Sequence, residues 1–310
     1  MLRDGPLEVD GRTVELSNTG KVLFSDSGVT KGDLVAYYLD VAEVMVPIIA
    51  GRPLTLQRFP DGVGAGGFIQ QDASDHFPDW VRRVPVPRRG KGGTVEHVVC
   101  DHPATLVYLA NQATITFHPW TSRVGHVDRP DLIVFDLDPP ATAGSDHRAV
   151  RAATRAVGSA LDEIGLVPFV QTSGSKGFHV VAPIEPELDH DAVLAFTRDL
   201  AALIAERDPK RLTVEFRKAK RAGRVFVDVG RNGYAQTAVA PYSVRARPGA
   251  TVATPIDWRE LGRVEPRSYT VANLRRRLAR KADPWASLPD RARPIQRARE
   301  RLDRLAAKAS

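Results

Sequence analysis

The stretch that decides this fold is Asp131-Leu132-Ile133-Val134-Phe135-Asp136-Leu137-Asp138-Pro139-Pro140. In a strand, side chains two residues apart share a face, so Asp136 and Asp138 project together while Leu137 packs behind them. Pro139 favours an extended backbone before it and ends the strand just past the pair. Neighbouring carboxylates repel each other unless cations lie between them, so the pattern indicates a divalent-metal site. An acidic turn is the alternative, since Asp before Pro is common turn chemistry.

Composition narrows the class of protein. The 310 residues include 43% hydrophobic and 26% charged residues, which is ordinary for a globular protein with a large core. Lys and Arg number 44 against 37 Asp and Glu, and the net charge of +7 favours a polyanionic partner such as nucleic acid. The single cysteine, Cys100, excludes an intramolecular disulfide and a cysteine-rich zinc site. No apolar run is long enough for a signal peptide or a membrane span, which predicts a cytoplasmic, nucleoid-associated protein without a membrane partner.

The order of elements predicts the fold class. Strand and helix patterns are mixed without regular βαβ alternation, which favours α+β. Thr30 and Asp33 have the spacing of a capping box and begin a predicted helix that runs up to Pro47. Asp101 is predicted to cap a second helix, and a strand is expected over residues 212–216.

Domain organisation follows from the absence of internal repeats and of a clear linker before about residue 285. Residues 1–285 are therefore expected to form a single catalytic domain, with residues 1–100 packed on its core. Residues 286–310 are expected to form a basic C-terminal helix or tail. The arginine run from Arg291 to Lys308 is interpreted as a solvated helix or a non-specific DNA-binding tail.

A third carboxylate fits the first two. In the stretch 224–229, Arg-Val-Phe-Val-Asp-Val, alternation places Asp228 and Phe226 on one face and the valines on the other. A carboxylate desolvated in such a strand is costly without a cation or hydrogen-bond donors. Combined with Asp136 and Asp138, Asp228 predicts a three-carboxylate site of the type that binds two metal ions for phosphoryl transfer. An edge strand with Asp228 in water is the alternative.

The loop of residues 173–179, Ser-Gly-Ser-Lys-Gly-Phe-His, supplies candidate phosphate contacts. Glycines let backbone N–H groups turn toward an anion, serine hydroxyls donate, and Lys176 and His179 bring positive charge. A hairpin loop without a ligand is an equally good interpretation of these residues alone. Basic residues around the strand of Asp228 are predicted to contact phosphates, namely Arg217, Lys218, Lys220, Arg221, Arg224, Arg245 and Arg247.

Four motifs in this order carry a family resemblance: FDLDP (135–139), TSGSKGFH (172–179), VFVDVGRN (225–232) and APYSVRAR (240–247). Together they resemble the polymerase domain of bacterial ligase D, in the archaeo-eukaryotic primase-polymerase superfamily, from about residue 11 to 285. The resemblance implies a primase-polymerase-like α+β core with mixed or antiparallel sheets and flanking helices. It also implies a nucleotidyltransferase that fills gaps or extends DNA ends with NTPs or dNTPs in non-homologous end joining.

The same resemblance implies cofactors and partners. The cofactors are two divalent metal ions, Mn2+ or Mg2+. The partners are gapped, nicked or end DNA, nucleoside triphosphates, a Ku-type end-binding protein and a separate DNA ligase. Because no Lys-x-Asp-Gly adenylation motif and no histidine-rich phosphoesterase module is present, the chain is expected to be a stand-alone relative.

Residue roles carry over by the same resemblance. The catalytic, metal-binding residues are Asp136, Asp138 and Asp228, and Asp228 also orients the primer hydroxyl. The nucleotide-binding residues are Ser173, Lys176, His179, His118, Arg245 and Arg58. The DNA-binding residues are Asn18, Lys21, Lys31, Phe68, Lys218, Lys220 and Arg221. Among these, Asn18, Lys21 and Lys31 match a pocket for a downstream 5′-phosphate, where helix N–H groups beside Lys31 also attract phosphate. Phe68 matches an aromatic residue that stacks on the template, and such stacking tolerates any base.

Two departures from the family pattern lie near the expected nucleotide site. Gln57 precedes Arg58 where the family often has lysine, and Arg231 replaces a commonly uncharged residue. Sugar preference and primer handling are therefore left open by the sequence. A non-catalytic DNA-end or gap-binding repair module is the second hypothesis. A haloacid-dehalogenase-type phosphatase is a third, disfavoured because Pro139-Pro140 follows the aspartates in place of Gly-Thr.

Overall fold

The computed structural model describes residues 2–90, 92–140, 143–144 and 146–309. The strands are β1 (Gly5–Val9), β2 (Arg12–Leu16), β3 (Val22–Phe24), β4 (Val29–Thr30), β5 (Pro53–Arg58), β6 (Phe68–Gln70), β7 (Arg83–Pro87), β8 (Thr94–Val99), β9 (Thr114–Pro119), β10 (Leu132–Asp138), β11 (Phe169–Thr172), β12 (Phe178–Pro183), β13 (Leu212–Thr213), β14 (Val225–Asp228) and β15 (Thr254–Ile256). The helices are α1 (Lys31–Ile49), α2 (Pro103–Asn111), α3 (Arg148–Glu163), α4 (His190–Arg207), α5 (Val271–Leu278) and α6 (Ile295–Ala309). This mixture of helices and mainly antiparallel sheets confirms the predicted α+β class.

The chain folds into two compact units. Unit 1 contains Met1–Trp120, Val239–Thr254 and Tyr269–Asp283. Unit 2 contains Thr121–Ala238, Pro255–Ser268 and Pro284–Ser310. The C-terminal residues predicted as a helix or tail thus belong to unit 2, where α6 forms most of them. No helix in the described ranges combines the length and apolar character that crossing a membrane requires.

Unit 1 is built on a sheet with strand order β6-β5-β8-β7, in which β9 also pairs with β5. The predicted capping box begins α1, because the Thr30 side chain accepts from the Asp33 N–H and the Asp33 side chain accepts from the Thr30 N–H. The prediction that this helix ends at Pro47 was wrong. The helix continues for two residues past it, and Ile48 and Ile49 of that last turn are buried against the unit's core.

The predicted cap of α2 was also wrong. His102 is the N-cap, and its side chain accepts a hydrogen bond from the Ala104 N–H. Asp101 instead accepts from the Gly51 N–H at 2.6 Å and pairs with Arg82 at 2.6 Å. The charge-assisted bond from the Arg82 guanidinium is stronger than one from a neutral helix N–H, and it draws the Asp101 carboxylate away from the helix.

Unit 2 is built on a six-stranded sheet with the order β13-β14-β10-β12-β11-β15. The strand of the opening stretch, β10, lies inside this sheet and pairs antiparallel with both β12 and β14. Helix α3 packs on β10, β12 and β14, and its apolar residues Val157 and Leu161 are buried. The strand expected over 212–216 ends at Thr213, because the Thr213 hydroxyl accepts the Glu215 N–H at 3.1 Å and turns the chain.

Candidate active site

Four neighbouring strands of unit 2 place one polar residue each in a single row. Asp136 on β10 lies opposite Asp228 on β14 and opposite His179 on β12, and His179 in turn lies opposite Gln171 on β11. Asp138, two residues further along β10, shares the face of Asp136. We call Asp136, Asp138 and Asp228 the carboxylate site. The structure therefore brings the three predicted aspartates together on adjacent strands.

Burial follows the alternation expected from the sequence. Leu137 is fully buried, whereas Asp136 and Asp138 on either side of it are partly accessible. On β14, Val227 is buried and Asp228 is partly accessible. The apolar side chains therefore hold the sheet on the core while the carboxylates stay open to a ligand.

The carboxylate site has an excess of negative charge. Burial, together with the charges of Asp136 and Asp228, raises the pKa of the Asp138 carboxyl, and nearby Arg221 and His179 only partly oppose this. A like-charge neighbour disfavours ionisation, so ionised Asp138 is costly without added positive charge. A bound cation would remove that cost.

The donor chemistry fits a divalent metal ion. Carboxylate oxygens are the ligands that Mg2+ and Mn2+ prefer, and such ions would neutralise the surplus negative charge of the three aspartates. In the described part of the chain, no three His, Cys, Asp or Glu side chains already surround a common point as metal ligands do. One oxygen of Asp228 accepts instead from the Gly230 N–H at 2.8 Å. Coordination by these residues therefore requires side-chain rotation on strands that are already in register.

His179 is oriented by its neighbour on β11. The Gln171 amide nitrogen lies 3.2 Å from His179 Nδ1, and the other ring nitrogen, Nε2, lies 3.3 Å from Asp136 Oδ1. The Gln171 amide thus orients the His179 ring beside the carboxylate site.

A buried asparagine holds the strand of the aspartates from the side. The Asn232 side chain, fully buried, accepts from the Val134 N–H at 2.8 Å and donates to the Val134 carbonyl at 2.9 Å. It also donates to the Val229 carbonyl at 2.8 Å. The β14 ladder on β10 ends at Asp228, and the amide of Asn232 continues it as a peptide group would. This contact locks the register that sets Asp136 opposite Asp228.

The loop of residues 173–177 is pressed against the backbone between the two aspartates. A Cβ on Gly177 would come 1.8 Å from the Leu137 carbonyl oxygen, so only glycine fits there. Ser173, buried, accepts the N–H groups of Ser175 at 3.2 Å and of Gly177 at 3.1 Å. These two N–H groups are therefore used inside the loop, and Ser173 shapes it. Lys176 is the exposed cation at its tip.

A cavity of about 290 Å³ adjoins the carboxylate site. Asp138 and the cations Lys176, Lys218 and Arg221 line it, with Pro139 and Pro140 and the small residues 219, 222 and 223 completing its wall. Its charge suits a polyanion. Lys220, predicted with these cations, is exposed in the same segment but is not among the lining residues.

Two arginines beside the carboxylate site have further contacts. The Arg221 guanidinium lies over the Phe226 ring, 3.8 Å from its centroid, and donates to the carbonyls of Glu215 at 3.0 Å and Phe216 at 2.9 Å. Arg231, flagged as a departure from the family pattern, lies 3.6 Å from Asp136 Oδ2 and is 42% exposed. One of the site's carboxylates is thus already paired with a cation that the chain itself supplies.

Other predicted nucleotide-binding residues lie in unit 1. Arg58 donates to the Gln112 carbonyl at 2.9 Å and to the Gln70 side chain at 2.8 Å, and burial lowers its pKa. Its guanidinium also lies 5.4 Å from the ring centroid of Phe68, which is 48% exposed. His118 on β9 lies opposite Thr55 on β5.

Arg245, on the chain segment beside β9, is partly accessible. The preceding residue, Val244, accepts a hydrogen bond through its carbonyl from the Thr116 hydroxyl of β9 at 2.8 Å. Arg245 and His118 thus belong to one packed region of unit 1.

The predicted 5′-phosphate residues come together in unit 1. We call Asn18, Lys21 and Lys31 the lysine pocket. The Lys21 N–H donates to the Asn18 carbonyl at 3.0 Å, and the Lys31 N–H to the Lys21 carbonyl at 2.8 Å. Lys31 is the first residue of α1 and is buried. Burial, and secondarily the charge of Lys21, lowers its pKa, although the charge of Asp4 opposes this.

Acidic residues partly satisfy the lysine pocket. Lys21 pairs with Asp61 at 2.8 Å on the surface. The Asp4 carboxylate accepts the N–H groups of Asn18 and Thr19, each at 2.8 Å, and hydrogen bonds from Thr19 lower its pKa. Asp4 thus provides a negative charge within the chain beside Lys31, and it uses the N–H groups of Asn18 and Thr19.

Sequence reasoning missed Gln171 and Asn232. Asn232 is the last residue of the motif VFVDVGRN, and Gln171 directly precedes the motif TSGSKGFH. Neither side chain is charged. Their one sequence signal is a polar amide inside an apolar strand or directly after one, where burial demands partners. Which carbonyls and ring nitrogens they bind depends on pairing between distant strands.

Comparisons with known proteins identify similar chains. The family model described as LigD, primase-polymerase domain, matches residues 30–285. The multifunctional non-homologous end joining protein LigD of Mycobacterium bovis is 36% identical over 278 residues, covering 87% of this chain but 36% of that protein. The bifunctional LigD of Bacillus subtilis is 28% identical over 275 residues, covering 88% of this chain and 43% of the relative. The chain thus spans less than half the length of these relatives.

A solved structure is similar throughout most of the chain. The polymerase domain of Mycobacterium tuberculosis ligase D, in complex with DNA, has a TM-score of 0.83 and 35% sequence identity. The match covers 90% of this chain and 99% of that one. The similarity thus extends to nearly the whole of a single polymerase domain.

Proposed function

The chain belongs to the LigD primase-polymerase domain family, and from that premise we propose that it is a DNA-directed nucleotidyltransferase. It fills gaps or extends ends with nucleoside triphosphates during repair by non-homologous end joining. The observation that carries the proposal is the row of Asp136, Asp228 and His179 on three paired strands, with Asp138 beside it and a cationic cavity adjoining.

The residues divide the work of the proposed reaction. The three aspartates would hold two divalent metal ions, which would supply positive charge for phosphoryl transfer. Asp228 orients the primer hydroxyl. Lys176 binds phosphate oxygens at the edge of the cavity, with His179 held toward Asp136 by Gln171. Ser173 keeps the loop of Lys176 in shape.

Nucleic-acid contacts extend the proposal. Lys218, Lys220 and Arg221 bind the DNA backbone beside the carboxylate site, and Phe68 stacks on a template base, which its 48% exposure allows. Arg58, His118 and Arg245 of unit 1 are also proposed to bind nucleotide. The lysine pocket binds the 5′-phosphate of a downstream strand. A Ku-type end-binding protein and a DNA ligase are the proposed repair partners.

Primer extension on gapped DNA tests the function. We expect wild-type protein with Mn2+ and nucleotides to extend the primer, and D136N/D138N to lose at least about a thousandfold in rate, because transition-state charge is no longer stabilised. D128N/D303N, which removes equal charge from exposed positions of unit 2, is the matched control and should extend normally.

The same assay decides between the proposed enzyme and a DNA-binding module. A mobility shift of gapped DNA without any extension by wild-type protein would favour the module. Normal extension by a folded D136N/D138N variant would overturn the assignment of the carboxylate site. Circular dichroism of each variant establishes that it is folded.

A further inference from the structure

Helix α6 lies beyond residue 285, where the family model ends, yet it is a packed part of unit 2. Its apolar residues Ile295, Ala298 and Leu302 recur at helical spacing and are buried. Arg293, just before the helix, forms a parallel bridge with Ile184, next to β12. The residues predicted as a basic helix or tail thus include a helix, and its apolar face is packed rather than solvated.

A single arginine fastens α6 to α4. Arg299 lies 2.6 Å from the Asp199 carboxylate, and its guanidinium lies 5.2 Å from the ring centroid of Phe196. Arg299 also lies 3.6 Å from Asp303 on its own helix. Arg299 thus pairs with carboxylates, unlike the cations on the other flank of the helix.

The remaining cations form a stripe along one flank of α6. Arg297, Arg301, Arg304 and Lys308 follow at intervals of four, three and four residues, which places them on one side of an α-helix. All four are exposed, and among the described residues none forms an ion pair. At 1.5 Å per residue the stripe is about 16 Å long. We call these four residues the α6 stripe.

The acidic residues of the helix balance the stripe only in part. Successive residues advance about 100° around an α-helix, so Asp303 lies far around the helix from the line of the α6 stripe, beside Arg299. Glu300 lies at one edge of the stripe, four residues before Arg304. The flank thus carries four positive charges against one adjoining negative charge, whereas the two signs are more evenly mixed on an ordinary solvated face.

We propose that the α6 stripe is a second DNA-binding surface, which contacts the phosphate backbone without reading sequence. DNA carries one negative charge per about 1.7 Å of its axis, so a straight row of cations over this length can neutralise several phosphates. Because the helix is already packed, binding orders only side chains. The inference rests on the proposed DNA-directed function and adds a surface outside the matched family region.

Two other occupants fit the surface less well. An amphipathic helix that lies on a membrane inserts its apolar face, but here that face is buried inside unit 2. A protein partner needs a central apolar or aromatic anchor. The residues within the arc of the α6 stripe are charged, and no large exposed apolar side chain of the described chain lies on α6.

Salt-dependent DNA binding tests the proposal. The variant R297Q/R304Q/K308Q replaces three cations of the stripe with glutamine, which is a good helix former. Arg301 is kept because its guanidinium packs on Gly165. Binding to a blunt duplex and to a gapped duplex is measured by fluorescence anisotropy across a range of KCl concentrations. We expect about tenfold weaker binding and a fall of about 2–3 in the slope of log K against log salt, since each phosphate contact contributes about 0.9.

The matched control is R198Q/K210Q/R259Q, which removes the same charge from scattered exposed positions of unit 2. It should leave the slope unchanged. Equal slopes for wild-type protein and the stripe variant would overturn the α6 stripe while the proposed function stands. A wild-type protein that does not bind DNA would overturn both. Preserved DNA binding with lost binding to anionic vesicles, or to an acidic protein, would assign the surface to that partner instead.

Discussion

The carboxylate site of unit 2 brings negative side chains together, and the lysine pocket of unit 1 brings positive side chains together. Burial first, and then like-charged neighbours, raises the pKa of Asp138, and burial first, with a further contribution from Lys21, lowers that of Lys31. Both shifts favour the neutral form, since an acid with a raised pKa and a base with a lowered one ionise less readily. A ligand of the opposite sign would therefore stabilise each charged form, a cation at Asp138 and an anion at Lys31.

The two sites differ in how their charges are held. Strand register fixes the positions of the aspartates. Gln171, Gly177 and Asn232 support this arrangement through their contacts with His179, Leu137 and Val134. The lysine pocket depends on a turn and the first residue of a helix, with Asp4 and Asp61 as built-in counter-charges. This difference indicates that the carboxylate site is sensitive to backbone geometry and the lysine pocket to charge.

Gly177→Ala should produce the largest effect and separate the two sites. The new Cβ cannot fit 1.8 Å from the Leu137 carbonyl, so the backbone between the aspartates must shift. We expect at least about a hundredfold slower primer extension and a loss of about 1–3 kcal/mol in the free energy of unfolding. Extension rates and urea denaturation measure these changes.

The control for this substitution is Gly64→Ala, where an added Cβ meets nothing within 4 Å. It should leave both measurements nearly unchanged. Preference for a 5′-phosphorylated gap, measured as a ratio of affinities, should survive in Gly177→Ala. Loss of that preference along with extension would show that the two sites are not independent.

Lys31→Gln should have an effect of intermediate size, and it should change the 5′-phosphate preference rather than primer extension. Removing this buried charge should reduce the preference for a 5′-phosphorylated over an unphosphorylated downstream strand by about tenfold. Extension on the unphosphorylated gap should stay unchanged, because the carboxylate site is intact. Lys21→Gln should have a smaller effect, since Lys21 is 41% exposed and already pairs with Asp61.

The pH dependence of this preference follows from the lowered pKa of Lys31. A base with a lowered pKa loses its proton at a lower pH than an ordinary lysine. The 5′-phosphate preference should therefore decline as pH rises, before free lysine side chains titrate. A preference that stays constant up to the ordinary lysine range would contradict the role given to Lys31.

Arg231→Gln should have the smallest effect. The guanidinium lies 3.6 Å from Asp136 and reduces the negative charge that attracts a metal ion. Because Arg231 is 42% exposed, solvent screens this interaction, and Mn2+ should bind only about two- to threefold tighter without it. Electron paramagnetic resonance of free Mn2+ measures the affinity, and Lys210→Gln is a distant control. Weaker Mn2+ binding would instead make Arg231 a support of the site.

Local patterns in the sequence were enough for much of the carboxylate site. The period of two along β10 placed Asp136 and Asp138 on one face, and the same pattern placed Asp228 on the accessible face of its strand. The resemblance to ligase D polymerase domains, stated from four motifs, is confirmed by the family match over residues 30–285. These inferences depend on neighbours in sequence, which a single chain displays.

Contacts between distant segments were beyond the sequence. Asp101 was predicted as a helix cap because its local sequence fits one, but Gly51 and Arg82 provide stronger donors. In the same way, nothing near Asn232 in sequence indicates that its amide binds Val134, 98 residues away. The residue roles assigned by resemblance, and the two metal ions, stay predictions until the experiments above are done.

The contact between Asn232 and Val134 also bears on how the protein is made. The backbone contacts among Asp4, Asn18, Lys21 and Lys31 join residues that lie close together in sequence. The strand of Asp136 and Asp138 must wait until residues 225–232 have emerged before β14 and Asn232 can fix it. Such long-range closure comes late in synthesis and folding. A chain that stops before Asn232 therefore lacks the contact that holds the strand of Asp136 and Asp138, and cannot form a complete carboxylate site.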